Sequence, residues 1–130
     1  MLETEKGRSL EFHHSIDALA KSIAKKGNVV VEGKIAIRML GDISDKKIWL
    51  KALGSIRAER YAKKDHTSIE AARKDLSKKE NEERGVFEKV YGFDYFEQEK
   101  EADIVVDTSD KTPEEIVNII IRGMETGHRE

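Results

Sequence analysis

Apolar residues at Phe12, Ile16, Leu19, Ala20, Ile23 and Ala24 recur at three- and four-residue steps. That spacing predicts a helix, and Gly27 follows it as a C′ glycine would. Val29-Val30-Val31 is a continuous β-branched run. It predicts a buried strand, closed by Glu32-Gly33-Lys34. A short helix is predicted over residues 35–40, stopped by Gly41, and a second strand over Lys47-Ile48-Trp49-Leu50-Lys51. Gly54-Ser55 opens a further helix carrying Ile56, Ala58 and Ala62. Thr67-Ser68-Ile69-Glu70 reads as a capping box, with Thr67 at the N-cap and Glu70 at N3. The helix it starts carries Ile69, Ala72 and Leu76, but residues 77–84 hold no apolar side chain. A helix that is polar all round predicts a solvent-crossing arm or an unstable segment. Apolar spacing resumes at Val86, Phe87 and Val90 and stops at Gly92.

The last third offers a third strand, Ile104-Val105-Val106, between Asp103 and Asp107. Thr112-Pro113-Glu114-Glu115 is a helix start, with Thr at the N-cap, Pro at N1 and Glu at N3. The helix runs through Ile116, Val117, Ile119, Ile120, Ile121 and Met124 to near Gly127, and residues 127–130 are expected to fray. Strands of Val and Ile alternating with helices predict an α/β fold with a parallel sheet flanked by helices.

Length and charge narrow the class. One domain is expected from 130 residues. Lys and Arg total 24 against 26 Asp and Glu, a formal net charge of −2. That balance speaks against a dedicated nucleic-acid binder, which needs a basic excess or face. It leaves room for a local basic pocket. The absence of cysteine excludes disulfides, thiolate metal sites and a cysteine nucleophile. The apolar runs are too short to span a bilayer, and the opening residues form no signal-peptide core. The expectation is a cytoplasmic protein with no membrane partner.

Candidate chemistry is sparse. Residues 27–35 imitate the phosphate-loop pattern G-x-x-x-x-G-K-[ST], but the spacer has five residues, and Ile35 has no hydroxyl for magnesium. The spacer also reads as a strand, whose amides pair with neighbours rather than cradle phosphate. His13 and His14 are adjacent, so on a helix they diverge by about 100° and cannot share a metal. They read as exposed or capping residues, His66 as a loop residue and Trp49 as core. Asp107, Asp110, Glu114 and Glu115 read as capping and helix-dipole residues. No catalytic or metal-ligating set emerges. Residues 57–84 mix basic and acidic side chains as a solvated helix face does, though Arg-rich helical arms after a strand also build the lids of phosphate-transfer enzymes.

Four stretches in order carry a family likeness. Gly27-Asn28-Val29-Val30-Val31-Glu32-Gly33-Lys34 looks like G-N-V-V-L-E-G-R. Lys47-Ile48-Trp49-Leu50-Lys51-Ala52, then Arg57-Ala58-Glu59-Arg60, looks like K-I-W-L-K-A followed by R-A-E-R. Val90-Tyr91-Gly92-Phe93-Asp94 looks like Y-G-I-D, and Asp103-Ile104-Val105-Val106-Asp107-Thr108-Ser109 with Pro113-Glu114-Glu115 looks like a last strand and an S-P-E-E helix start. In these features the chain resembles the C-terminal two-thirds of archaeal-type cytidylate kinases, P-loop nucleoside monophosphate kinases.

The resemblance implies a P-loop kinase-like parallel sheet without its first strand and P-loop, in one incomplete domain over residues 1–130, with a helical lid-like region at about 55–92. That first strand lies, in the family, between the strands matched by residues 29–31 and 47–51. Its loss predicts that these two strands close the gap or that another chain fills it. The family moves the ATP γ-phosphate to CMP or dCMP with magnesium. By resemblance, Gly33, Lys34, Arg57, Arg60 and Lys79 are the residues that touch substrate. Other positions depart from the pattern. Lys34 stands where the family has Arg, and Ile16-Asp17-Ala18-Leu19-Ala20 stands where it has I-D-R-R-Q. A second lid arginine aligns with Val86. Each lost charge-assisted phosphate contact costs about 1.5–3 kcal/mol.

Three readings follow. The first is a cytidylate kinase-like module that binds nucleotide or a partner without self-sufficient catalysis. The second is a truncated or split kinase whose ATP and Mg²⁺ sites need a P-loop-bearing partner chain. The third is a charged α/β module associated with nucleic acid. Homo-oligomerisation is a further expectation, because an unpaired strand edge exposes its amides and carbonyls.

Overall fold

The computed structural model describes residues 2–126, with side chains from residue 11 to residue 125. The expected helix end near Gly127 and the fraying tail lie outside the described residues. The order is α1 (Leu2–Lys25), α2 (Ala36–Met39), β1 (Ile48–Lys51), α3 (Gly54–Asp65), α4 (Ile69–Tyr91), a 3₁₀ segment Tyr95–Glu101, β2 (Ile104–Asp107) and α5 (Pro113–Thr126). β1 and β2 pair in parallel, with Ile48 opposite Ile104 and Lys51 opposite Asp107. The architecture is therefore α/β, a two-stranded parallel sheet flanked by helices.

The core lies between β2 and the helices around it. Ile104 and Val106 are buried on one side of the strand, with Leu40, Ala58, Ala62, Ala72, Tyr95 and Ala102 completing the apolar interior. Small residues on α3 and α4 allow close approach: Ala58, Ala62 and Ala72 form the seam between the two helices. α5 lies so close on β2 that a Cβ at Gly123 would sit 2.8 Å from Ile104 Cδ1. Trp49, expected in the core, is only half-buried at its margin, edge-on to Phe96 with ring centroids 6.2 Å apart.

Several expectations change. Residues 29–31 form no strand, so they do not close onto β1 as one of the two expected outcomes had it. Val30 is 95% exposed, and no strand among the described residues pairs with the free edge of β1. A parallel strand draws its hydrogen bonds from neighbours, so a β-branched run without one remains coil.

The N-cap of α4 is Ser68, not Thr67: Ser68 Oγ accepts from the Ala71 amide at 3.2 Å. The reason lies in α3. His66 ends that helix in the left-handed region, and the Thr67 amide donates to Ala62 O. Thr67 is thus spent on closing α3, and the next residue takes the extended cap conformation. At the other cap the expectation stands: Thr112 Oγ1 accepts from the Glu115 amide, and Glu115 Oε1 reaches back to Thr112.

α4 is one helix through its polar stretch. Gly92, at φ 77°, ends it, and its amide donates to Glu88 O. Ion pairs replace apolar packing there: Arg84 pairs with Asp94 and lies 4.3 Å over the Phe96 ring. The Arg84 guanidinium holds the Asp94 carboxyl below its ordinary range. His13 is neither exposed nor a cap. It is half-buried, edge-on to Phe87 and Tyr91 at 6.1 Å, while His14 is exposed. The adjacent Asp17 accepts from the Tyr91 hydroxyl at 2.6 Å. Burial and this carboxylate push the Tyr91 phenol well up. These contacts fasten α1, while Phe12, Ile16, Leu19 and Ile23 remain substantially exposed.

Candidate functional site

The segment holding Gly33 and Lys34 is fixed from beneath by one buried side chain. Gln98, fully buried in the 3₁₀ segment, donates to Lys34 O at 2.6 Å and Tyr95 O at 2.8 Å, and accepts from the Arg38 amide at 3.0 Å. A buried amide with its groups satisfied is a rigid clamp, because breaking it leaves polar groups without water. Arg38 adds a forked pair to Glu101, from Nε at 3.1 Å and Nη2 at 2.8 Å, and its guanidinium stacks 4.0 Å from the Phe93 ring. With its backbone held this way, Lys34 extends its ammonium to Glu83 on α4.

α3 and α4 form the opposite wall. Arg57 donates from Nε to Ala52 O at 3.2 Å and pairs through Nη1 with Glu80. Lys79 Nζ lies 5.6 Å from the Tyr61 ring centroid, at the outer range of a cation–π contact. Burial, and then the Asp65 carboxylate, raise the Tyr61 phenol above its ordinary value, so it remains a neutral hydroxyl on an apolar ring.

Between these walls is an open cleft of about 320 Å³, lined by Lys34, Tyr61, Lys64, Leu76, Lys79, Glu80, Glu83 and Tyr95. A second cleft of about 330 Å³ adjoins it, lined by Gly54, Ser55, Arg57, Ala58, Arg73, Leu76, Ser77 and Glu80. Leu76 and Glu80 border both. Lys34 and Lys79 therefore meet across one cleft, and Arg57 stands in the neighbouring one. Gly33, next to Lys34 in the chain, is exposed and lines neither cleft. Arg60 is elsewhere: it donates to Thr108 Oγ1 at 2.9 Å and Thr108 O at 2.6 Å, joining α3 to the end of β2.

The arrangement suits an anion beside a flat ring. Lysines supply charge, Tyr61 supplies a face, and nothing in the cleft has the pairing of a nucleophile with a base. Among the described residues, no three His, Cys, Asp or Glu side chains are grouped to hold a metal ion. Asp107 accepts from the Ser109 amide at 3.0 Å and the Ser109 hydroxyl at 2.6 Å, which hold its carboxyl below the usual range, as a turn residue rather than a ligand.

Sequence reasoning missed Tyr61, Lys64, Glu80, Glu83 and Gln98. The signal for the first two was helical spacing: Arg57, Tyr61 and Lys64 fall at i, i+4 and i+7 on one face of α3. Leu76, Glu80 and Glu83 repeat that spacing on α4. For Gln98 no such signal exists, because its value lies wholly in distant backbone groups.

Comparison with known proteins supplies the context. The model of the cytidylate kinase-like family matches residues 6–110. The chain is 35% identical over 113 residues to the cytidylate kinase of Methanocaldococcus jannaschii, covering 85% of this chain and 63% of that relative. It is 34% identical over 127 residues to that of Pyrococcus horikoshii, covering 89% of this chain and 65% of the relative. For the cytidylate kinase of Methanopyrus kandleri the figures are 32% over 114 residues, 81% and 58%. The chain thus spans a little under two thirds of the length of these relatives. No solved structure gives a significant match. Among the described residues no helix is long and apolar enough to cross a membrane.

Proposed function

The chain belongs to the cytidylate kinase-like family, and from that premise we propose that these residues form a nucleotide-binding module that does not transfer phosphate on its own. The observation that carries this reading is the cleft lined by Lys34, Lys64 and Lys79 together with the Tyr61 ring. A nucleoside monophosphate such as CMP presents the complement, a dianionic phosphate and a stacking base. The remaining cations are committed within the fold. Arg57 is held by Glu80 and Ala52, and Arg60 by Thr108.

Phosphoryl transfer is mainly positioning plus electrostatic stabilisation. The 130 residues contain no glycine-rich loop to cradle the donor phosphates. Transfer by this chain therefore depends on such a loop from another segment or chain. That is the second reading, a split or truncated kinase. The free edge of β1 favours it, with half-exposed Leu50 beside Leu53, as a place for a further parallel strand.

Calorimetric titration of the 130-residue chain with CMP, beside an assay of CDP formation from CMP and Mg·ATP, tests both parts. The expected result is CMP binding without CDP above a no-protein control. CDP formation by this chain alone would overturn the lack of self-sufficient transfer, and absence of CMP binding would overturn the nucleotide site. A phosphate-loop sequence in the coding DNA upstream of Met1 would favour the second reading.

A further inference from the structure

Two carboxylates on α4 already occupy the cations of the cleft. Glu80 and Glu83 stand three residues apart, on one face of the helix, and reach to different elements. Glu80 pairs with Arg57 on α3, and Glu83 pairs with Lys34 on the Gln98-clamped segment. Lys64 and Lys79 share the first cleft and Arg73 lines the second, so the positive groups exceed the negative.

Each cation has a second tie to the fold besides its glutamate. The Lys34 backbone is locked by Gln98, and Arg57 Nε is held by Ala52 O. The glutamate side chains line the clefts and are 24% and 28% exposed, less than their partners Arg57 at 36% and Lys34 at 52%. An incoming anion would displace the carboxylates into water and leave the cations standing.

We propose that Glu80 and Glu83 are specificity-determining residues of this cleft: as resident anions they exclude neutral and weakly anionic molecules and admit a phosphate dianion. The inference rests on the cleft being the ligand site. A monocarboxylate or an uncharged nucleoside brings nothing that the resident glutamates do not already give. A phosphate monoester carries more charge on three acceptor oxygens and keeps the cations satisfied after the exchange.

The test uses the full 130-residue chain and inorganic phosphate at mildly alkaline pH, followed by amide shifts in NMR. Glu80→Gln and Glu83→Gln are isosteric changes at partly exposed sites, and each removes one competing charge. Each is expected to tighten phosphate binding by about fivefold or more, given the strength of a charge-assisted hydrogen bond. Glu82→Gln, at an exposed position of the same helix turn, removes the same net charge and is expected to leave binding unchanged. Phosphate binding no tighter in either glutamine variant, including no binding in any of them, would overturn the inference. Equal tightening by Glu82→Gln would also overturn it, because general charge would then explain the effect. The CMP titration of the unaltered chain tests the nucleotide reading separately.

Discussion

Two three-residue β-branched runs of this chain, alike but for one Ile in place of Val, have opposite fates. Ile104-Val105-Val106 becomes a strand, with Ile104 and Val106 buried beneath α5 and beside β1. Val29-Val30-Val31 stays coil, and Val30 is almost wholly exposed. Burying a Val or Ile side chain contributes about 1.5–3 kcal/mol. The first run realises that gain and the second does not. The difference is context, because a parallel strand needs a neighbour on its edge and cover on its face. Residues 104–107 have β1 as neighbour, while no strand among the described residues lies beside residues 29–31.

The sharpest way to break this comparison is to cut into the covered run. Ile104→Ala removes a buried side chain that Gly123 approaches closely. It is expected to cost about 2–5 kcal/mol in denaturant unfolding, because the cavity adds to the lost burial. A loss under about 1 kcal/mol would mean that the strand contributes no more than the exposed run does.

The two runs also mark how far sequence reasoning reaches. Features fixed by a few adjacent residues were legible. The Thr112 cap with Pro113 and Glu115, the strand at 48–51 and the glycine stop at Gly92 all follow from local chemistry. Features fixed by distant groups were not. Thr67 and Ser68 can each cap a helix in isolation, and the closure of α3 onto Ala62 leaves the cap to Ser68. Of the site, the resemblance pointed to Lys34, Lys79 and Arg57, and the structure brings Lys34 and Lys79 to one cleft. Arg60, named beside them, instead braces Thr108. The glutamates that hold the cations, and the buried Gln98 beneath them, depend on a fold that no single segment encodes.

A smaller effect separates burial from polar ties within the packed half. Asp94 accepts from Arg84 and caps the 3₁₀ segment through the Phe96 amide at 3.2 Å. Its carboxyl is held below its ordinary value, chiefly by the Arg84 hydrogen bond. The folded state therefore binds this proton less readily than the unfolded chain. The resulting stability is fully present above the unfolded value of about 3.9, and it is lost as pH falls through the lower folded value. Both side chains are more than a quarter exposed, so the pair contributes about 0.2–1 kcal/mol. Asp94→Asn is expected to lower stability by about that much at neutral pH. The gap to the unaltered chain should close as unfolding is repeated at progressively lower pH. A gap that stays constant down to the acid limit would assign the effect to the cap rather than to the charge.

The smallest expected effect bears most directly on the exposed run. Val30→Asp places a charge where a buried strand would forbid one. With Val30 exposed to solvent, the change is expected to shift unfolding free energy by no more than about 0.5 kcal/mol, the range of ordinary surface substitutions. The same unfolding titration at two protein concentrations adds a second readout. If residues 29–31 pair with a strand from another copy in solution, Val30→Asp would destabilise more strongly at the higher concentration, where the dimer prevails. A small and concentration-independent shift would leave the contrast between the two runs intact. A large one would mean that the same β-branched pattern has found its neighbour outside the chain.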